Sequence, residues 1–182
     1  TASFNTFYLH GNGTLGGRTQ SFGGSGTYSP NVQMRIYNCI TVNVSPLTSL
    51  TYNTATNNTN FLVDGCSTLD LTNAMNFTAP SSGVPYVGFF NNGTISGSGG
   101  LKIQGNTTLT GNAANPNFSA PVEFVSGSPN GSGNFSGPFK IDSNATFTLT
   151  SPLNLLSDLT IENNAVMDMN GGKHLPNNVE VR

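Results

Sequence analysis

The chain has 182 residues, enough for one domain, and only 8% of them are charged, against roughly 25% in ordinary soluble domains. The formal net charge is −2 and no basic run occurs, so the electrostatic footprint of a nucleic-acid-binding protein is missing. No apolar run approaches the ~18 residues of a membrane-spanning helix. Disordered chains combine low hydrophobicity with high net charge, and this chain lacks the charge.

Seven segments along the chain share one residue pattern. They begin at Phe7, Met34, Phe61, Val87, Leu101, Phe139 and Leu159. In each segment the first and third positions are apolar, the fifth is Gly, Asn or Ser, the sixth is Asn or Cys, and the ninth is again apolar. Alternating apolar residues predict a strand with one buried face, and Gly or Asn permits a tight bend. Each segment is therefore predicted to be strand, bend, strand.

The third position of each segment is predicted to point into one continuous core. These residues are Leu9, Ile36, Val63, Phe89, Ile103, Ile141 and Ile161. Charged residues take the second and fourth positions, which point outward in this phase: Arg35, Lys102 and Lys140, then Asp64, Asp142 and Glu162.

The spacing of the segments indicates how the strands stack. Starts at 7, 34, 61 and 87 are 27, 27 and 26 residues apart, which suits one triangular coil. Beyond 87 the register is open: either the coil shortens to about 20 residues, or two sides of one coil resemble each other. A β-sandwich also has short strands and turns, but it does not need equivalent residues at a fixed period. We expect an all-β fold, a right-handed parallel β-solenoid (β-helix) of about seven coils.

Three stretches carry a family resemblance: GGSGTYSP, GTISGSGGLKIQGNTTLTG and LTIENNAVMDMNGG. They resemble the repetitive β-solenoid regions of secreted bacterial surface proteins, above all Bacteroidetes-type repeat proteins exported by type IX secretion. Autotransporter passengers and filamentous-haemagglutinin-like adhesins are similar. The resemblance implies a secreted or cell-surface location and an adhesive or scaffolding role. It transfers no catalytic residue.

Cys39 and Cys66 take the sixth position in consecutive segments. Stacked strands bring Cα atoms within the 4.4–6.8 Å that a disulfide accepts, so a bridge is one interpretation. Two packed free thiols are the other. Asn fills the same position elsewhere, where stacked amides could bond from coil to coil.

The eighth position predicts an outward Thr ladder. Its members are Thr14, Thr41, Thr68, Thr94, Thr108 and Thr146. A regular T-x-T face is typical of ice-binding solenoids, but only two T-x-T pairs occur at these positions. β-propensity and Thr–Thr contacts on a solvated face explain the column equally. The chain also has ten N-x-S/T sequons. They are either glycosylation sites or a by-product of the high Asn, Ser and Thr content and of the repeat, which places Asn at the sixth position and Thr at the eighth.

Catalytic chemistry on glycans would need paired carboxylates. Asp142 and Glu162 share a column, as do Asp70 and Asp168, but neither pair has a basic partner in phase. His10 and His174 are isolated, so neither a metal site nor a cofactor is expected. Surface glycans remain candidate partners because outward aromatic residues could stack on sugar rings: Tyr8, Tyr37 and Phe90. We expect no enzyme.

The expected function is that of an extracellular structural or adhesive module: a stalk, surface adhesin or filament subunit. An ice-binding or carbohydrate-binding solenoid is the alternative. Residues 1–182 are expected to form a single domain of a longer chain or an assembly, because neither end shows a polar cap. The predicted partners at the ends are other protein chains or more of the same polypeptide.

Overall fold

The computed structural model describes residues 2–10, 19–22, 27–37, 39, 41–44, 48–51, 60–79, 87–111, 118–170 and 178–182. These residues form β-strands and no helix. In chain order the strands are β1 (Ala2–His10), β2 (Thr19–Phe22), β3 (Thr27–Tyr37), β4 (Thr41–Val44), β5 (Thr48–Thr51), β6 (Asn60–Val63), β7 (Thr68–Asp70), β8 (Met75–Thr78), β9 (Val87–Asn91), β10 (Thr94–Ser96), β11 (Leu101–Gln104), β12 (Thr107–Thr110), β13 (Val122–Ser126), β14 (Asn130–Phe135), β15 (Phe139–Ile141), β16 (Thr146–Leu155), β17 (Leu159–Ile161), β18 (Val166–Asp168) and β19 (Val179–Val181).

The strands pair in parallel and form three walls. Wall A has the order β18-β16-β14-β12-β9-β6-β3, and wall B has the order β3-β5-β8-β11-β13-β15-β17-β19. The long strand β3 belongs to both walls, and β1 pairs with it. Wall C is the separate sheet β10-β7-β4-β2. Each strand pairs with strands one winding earlier and later, so the fold is the predicted parallel β-solenoid. Its right hand stays a prediction, based on the strong preference for right-handed parallel crossovers.

The coil shortens along the chain. On wall B, successive register partners run from Leu50 through Phe77, Ile103, Phe124, Ile141 and Ile161 to Val181. Subtracting neighbouring numbers gives coils of 27, 26, 21, 17, 20 and 20 residues. The predicted shortening is thereby confirmed.

Beyond residue 87 the second alternative left open by the sequence also holds: from Leu101 onward the segments begin on another side of the coil. The segments at Phe7, Met34, Phe61 and Val87 form wall A, as β1, β3, β6 and β9. Leu101 pairs with Met75 and Val122, on wall B, and the segments at Phe139 and Leu159 continue that wall. Two sides of one coil do resemble each other, because each is an apolar-alternating strand followed by a bend.

Wall C accounts for the shortening. Its last strand among the described residues is β10, and Ile95 then makes a single parallel bridge to Phe118. In later coils this side is reduced to a bend: Ser136 N–H donates to the carbonyl of Phe118, and Leu156 N–H donates to that of Phe135. A bend needs fewer residues than a strand with its flanking turns, so the later coils are shorter.

The core forms one cluster of buried side chains that runs from Met34 to Leu159. Ile36, Val63, Phe89, Ile103 and Ile141 are fully buried in it, and Ile161 packs against it half-buried. Those predictions are confirmed, and the side chain of Leu9 lies outside the described part. A chain of aromatic contacts crosses the coils, starting with Phe61 and Phe89, whose rings stack 4.8 Å apart. Its other members are Phe77, Phe118, Phe124, Phe135, Phe139 and Phe147.

Candidate functional site

Half of the charged residues of the chain lie on the outer surface of wall B. The sequence has 6 basic and 8 acidic residues, fourteen in total. Seven of them form two adjacent columns on this wall, which we name the charge ladder: Lys102, Glu123, Lys140 and Glu180 in the first column, and Asp142, Glu162 and Arg182 in the second. Their outward direction follows from the alternation of the strands, since the apolar neighbours point inward.

The charge ladder joins successive coils by ion pairs. Glu123 lies between two lysines: its carboxylate oxygens are 2.9 Å from Lys102 Nζ and 3.1 Å from Lys140 Nζ. Lys140 Nζ is also 2.6 Å from an oxygen of Asp142 and 3.7 Å from one of Glu162. At the far end Arg182 pairs with Glu180 at 2.9 Å and reaches Glu162 at 3.8 Å. The ladder therefore spans five coils.

These contacts shift the pKa values of the two central groups. Partial burial acts to raise the pKa of Glu123, but hydrogen bonds and charge from Lys102 and Lys140 outweigh it and lower the pKa below its ordinary value. Hydrogen bonds that Lys140 Nζ donates to Asp142 and Glu123 raise the pKa of Lys140 well above that of a free lysine. Both shifts favour the charged forms, so the pairing is maintained through the neutral pH range.

The two acid pairs weighed as catalytic candidates are placed differently by the structure. Asp142 and Glu162 do lie in successive coils, but Lys140 contacts both, and Arg182 contacts Glu162. The prediction that this pair has no basic partner is wrong, because β19 was not recognised as a strand that brings Arg182 alongside. Asp70 lies on wall C and Asp168 on wall A, so they form no pair.

Among the residues that the structure describes, the predicted Thr ladder exists only on wall C. Thr41, Thr68 and Thr94 are direct register partners, and Thr19 extends the column beyond Thr41. A second outward row runs beside it, through Asn43, Asp70 and Ser96. The result is a regular polar lattice on parallel strands, about 4.8 Å apart across the strands.

The other predicted members lie elsewhere. Thr108 is on wall A, between Gly88 and Asn130, and Thr146 pairs with Val166 on the same wall. They were assigned to the ladder because walls A and B have similar sequences. Thr14 lies outside the described residues. The register partner of Thr41 is Thr19, which is five positions after Thr14 in the sequence.

Cys39 and Cys66 form a disulfide at the corner between walls A and C, with Cα atoms 4.5 Å apart. Cys39 has a positive φ of 58°, as expected of the turn position that Asn fills in other segments. Cys66 is exposed and Cys39 is half-buried. The bridge fastens two coils of the wide part of the solenoid.

Two Asn residues of the predicted amide column occupy bends in the left-handed region, and a third, Asn106, accepts a hydrogen bond from Ser128 N–H of the next coil. Asn144 and Asn164 are exposed, with φ of 70° and 62°. The amide pair that does join two coils was missed by sequence reasoning: Asn154 Nδ2 donates to Asn134 Oδ1. These residues lie opposite each other in β14 and β16. Each lies five residues before a segment start, Phe139 or Leu159, and that shared spacing is the signal that could have revealed the pair.

Of the three aromatic side chains predicted to stack on sugar rings, the structure describes one, that of Tyr37 on wall A. The guanidinium of Arg35 lies 5.2 Å from the ring centre of Tyr37 and donates two hydrogen bonds to Asp64, at 2.7 and 3.0 Å. Arg35 thus covers one face of Tyr37. The side chains of Tyr8 and Phe90 lie outside the described part.

Comparison with known proteins found no matching family, no matching curated protein and no matching solved structure. Within the described residues, no helix is long and apolar enough to cross a membrane. No cluster of three or more His, Cys, Asp or Glu side chains suited to a metal ion occurs in that same part of the chain. His10 and His174 have no described side chain.

Proposed function

We propose that this chain is an extracellular structural or adhesive β-solenoid module, acting as a stalk, surface adhesin or filament subunit, and not an enzyme. One observation carries the proposal: each described basic side chain is ion-paired to a carboxylate on its own or a neighbouring coil. These side chains are Arg35, Lys102, Lys140 and Arg182. Charges used in this way hold coils in register and leave little for substrate chemistry.

The core and the disulfide support the same role. A single cluster of buried side chains links the coils, and ring contacts continue from Phe61 to Phe147. The Cys39–Cys66 bridge suits an oxidising, extracellular location. A stack of this kind transmits force along its axis and presents whatever is attached to it at a fixed distance.

The test is to attach the chain covalently to inert beads and measure retention on polysaccharide-coated and protein-coated surfaces, while assaying the released sugars. Retention without sugar release indicates an adhesive module. The absence of both retention and sugar release indicates a structural spacer. Sugar release that Asp142→Asn or Glu162→Gln abolishes would overturn the proposal. Arg35→Gln serves as the control variant, because it breaks an ion pair on the other wall.

A second candidate, an ice-binding or carbohydrate-binding solenoid, is favoured by the wall C lattice. Three threonines in exact succession, Thr41, Thr68 and Thr94, present hydroxyl groups at strand spacing. The test is ice growth inhibition, or binding to insoluble polysaccharide, by the chain and by Thr68→Lys, which interrupts the middle of the lattice. Thr108→Lys on wall A is the matched control, and equal activity of both variants would exclude wall C.

A further inference from the structure

We propose that wall C binds a neutral β-1,4-linked glycan chain that lies along the stacking direction of the coils, with one sugar on each coil. The proposal rests on the second candidate function and deepens it, because it selects one class of ligand and assigns a role to Asp70. Three features of wall C carry it: polar side chains without partners among the described residues, the spacing of those side chains, and a single central carboxylate.

Wall C presents polar side chains that no described residue uses. Its described outward side chains form two rows, and all are half-buried: Thr41, Thr68 and Thr94 in the first row, and Asn43, Asp70 and Ser96 in the second. None of these side chains makes a hydrogen bond or an ion pair in the described part of the chain. On wall A, by contrast, Arg35 pairs with Asp64, and Asn154 pairs with Asn134. Half-buried polar groups without partners favour a ligand that supplies the missing hydrogen bonds.

The backbone beneath the two rows is held at both corners of wall C. At the corner with wall A, the Cys39–Cys66 disulfide joins two coils. At the corner with wall B, Asn73 Nδ2 donates a hydrogen bond of 3.0 Å to the carbonyl of Val44 in the preceding coil. Between the corners, β4, β7 and β10 pair without a shift in register. A surface fixed in this way binds a ligand with little loss of its own conformational entropy.

The spacing of the two rows matches an extended glycan chain. Neighbouring strands lie about 4.8 Å apart, and outward residues two positions apart in one strand lie roughly 6.6 Å apart. In an extended β-1,4-linked chain each sugar advances the chain by about one strand spacing, and the ring with its hydroxyl groups fills the width between the rows. Consecutive sugars are rotated by half a turn. Each row therefore meets the O2 and O3 hydroxyls in one coil and the O6 hydroxyl in the next.

The position of Asp70 favours a glycan over ice. Asp70 lies in the middle of the second row, between Asn43 and Ser96. Its carboxylate accepts two hydrogen bonds at once and thus suits the O2 and O3 pair of one sugar, while Asn43 and Ser96 face single O6 hydroxyls of the neighbouring sugars. Ice repeats identical groups, which a row of three different side chains does not match. None of the described basic side chains lies on wall C, so the carboxylate also disfavours anionic glycans.

The test uses three soluble hexasaccharides, each titrated into the isotope-labelled chain and followed by NMR. Cellohexaose has the proposed linkage and free O2 and O3 hydroxyls. Maltohexaose has the same composition but α-1,4 linkages, which curve the chain away from a flat surface. Chitohexaose keeps the β-1,4 linkage but carries an acetamido group in place of the O2 hydroxyl. We expect cellohexaose to shift the amides of β4, β7 and β10 and to bind about tenfold tighter than either comparison sugar.

Substitution of Asp70 tests its role in orienting the sugar. In Asp70→Ala the affinity for cellohexaose should fall about tenfold, because the hydrogen bonds to the charged group are lost. The control Asp168→Ala makes the same change on wall A and should leave the affinity unchanged. Urea unfolding of both variants checks that the fold is kept, and the comparison of the three sugars does not depend on either variant.

Four results would overturn the proposal: no binding of cellohexaose, equal or tighter binding of a comparison sugar, amide shifts confined to walls A and B, or an equal loss of affinity in the two variants. Ice growth inhibition without cellohexaose binding would assign wall C to ice and overturn it as well. If Thr68→Lys abolishes binding to insoluble polysaccharide but cellohexaose does not bind, the second candidate function stands and only this ligand is wrong. Bead retention and sugar release test the structural or adhesive role independently.

Discussion

The ammonium nitrogen of Lys140 lies 3.1 Å from a carboxylate oxygen of Glu123, across the boundary between two coils. Lys102 approaches the same carboxylate from the other side. Replacing Glu123 by Gln removes both pairs and leaves the two lysines as neighbours of a neutral amide. Because the lysines are 38% and 46% exposed, the expected loss in free energy of unfolding at pH 7 is only about 1 kcal/mol. Urea denaturation measures it, and the solvent-exposed Glu180→Gln should cost less.

The stabilisation by Glu123 should depend on pH in a defined direction. The pKa of Glu123 is lowered in the folded chain, so its contribution is fully present above the ordinary value of 4.5 and is lost as the pH falls through the folded value. The pKa of Lys140 is raised, so its contribution is present below 10.5 and is lost only as the pH rises through the higher folded value. The difference between the chain and Glu123→Gln should thus shrink in acid and persist at pH 9. A constant difference down to pH 2 would contradict this.

The sequence predicted the strand, bend and core positions correctly because alternation depends only on neighbouring residues. It did not separate wall A from wall B, since both walls use the same local pattern. A clue was present in the numbering: Leu101 follows Val87 by 14 residues, about half of a 26-residue coil. A half-coil offset means another side of the same coil, whereas a whole coil would have returned to the same side.

The far end of the charge ladder, at Arg182, could not be predicted from the sequence for a related reason. Arg182 reaches Glu162 only because β19 stacks on β17, and the exposed residues Val179 and Val181 follow no recognisable bend. An insertion in the first coil was missed in the same way. Thr19 follows Leu9 by ten positions, whereas Thr41 follows Ile36, the register partner of Leu9, by only five. Such insertions shift a column without changing any local pattern.

The disulfide should contribute strongly to stability. It joins residues 27 positions apart, and a loop of that length corresponds to about 3–4 kcal/mol in the chain-entropy model. The double variant Cys39→Ser/Cys66→Ser should therefore unfold at markedly lower urea concentration. Mass measurement with and without reductant and alkylation tests the bridge itself. If reduction leaves both the mass after alkylation and the unfolding midpoint unchanged, the two sulfurs are not bonded.

Removal of one buried hydroxyl should increase stability. Thr107 is fully buried, and its Oγ1 has no hydrogen-bond partner among the described residues. Thr107→Val replaces the hydroxyl by a methyl group of similar shape, which removes a desolvated polar atom and should raise the free energy of unfolding by about 1 kcal/mol. Thr108→Val, at the adjacent half-buried outward position, is the control and should change it by less than about 0.5 kcal/mol. Destabilisation by Thr107→Val would show that the hydroxyl is hydrogen-bonded.

Alanine substitution at two glycines, Gly131 and Gly65, tests how closely successive coils are packed. A Cβ added at Gly131 would lie 2.7 Å from the carbonyl oxygen of Leu109 and 3.2 Å from the ring of Phe147. The backbone atom cannot move without breaking the ladder between β12 and β14, where these two residues are partners. Gly131→Ala should therefore destabilise the chain by about 1–3 kcal/mol.

Gly65 is the matched control, because the nearest atom to its added Cβ is the carbonyl oxygen of Asn92, 3.8 Å away, and its φ is not positive. Gly65→Ala should be neutral or stabilise by up to about 1 kcal/mol, since alanine restricts the unfolded chain. Thermal and urea unfolding of the two variants would show the contrast. Equal stability of the two variants would mean that β12 and β14 are not stacked in the described register, and wall A would have to be rebuilt from that point.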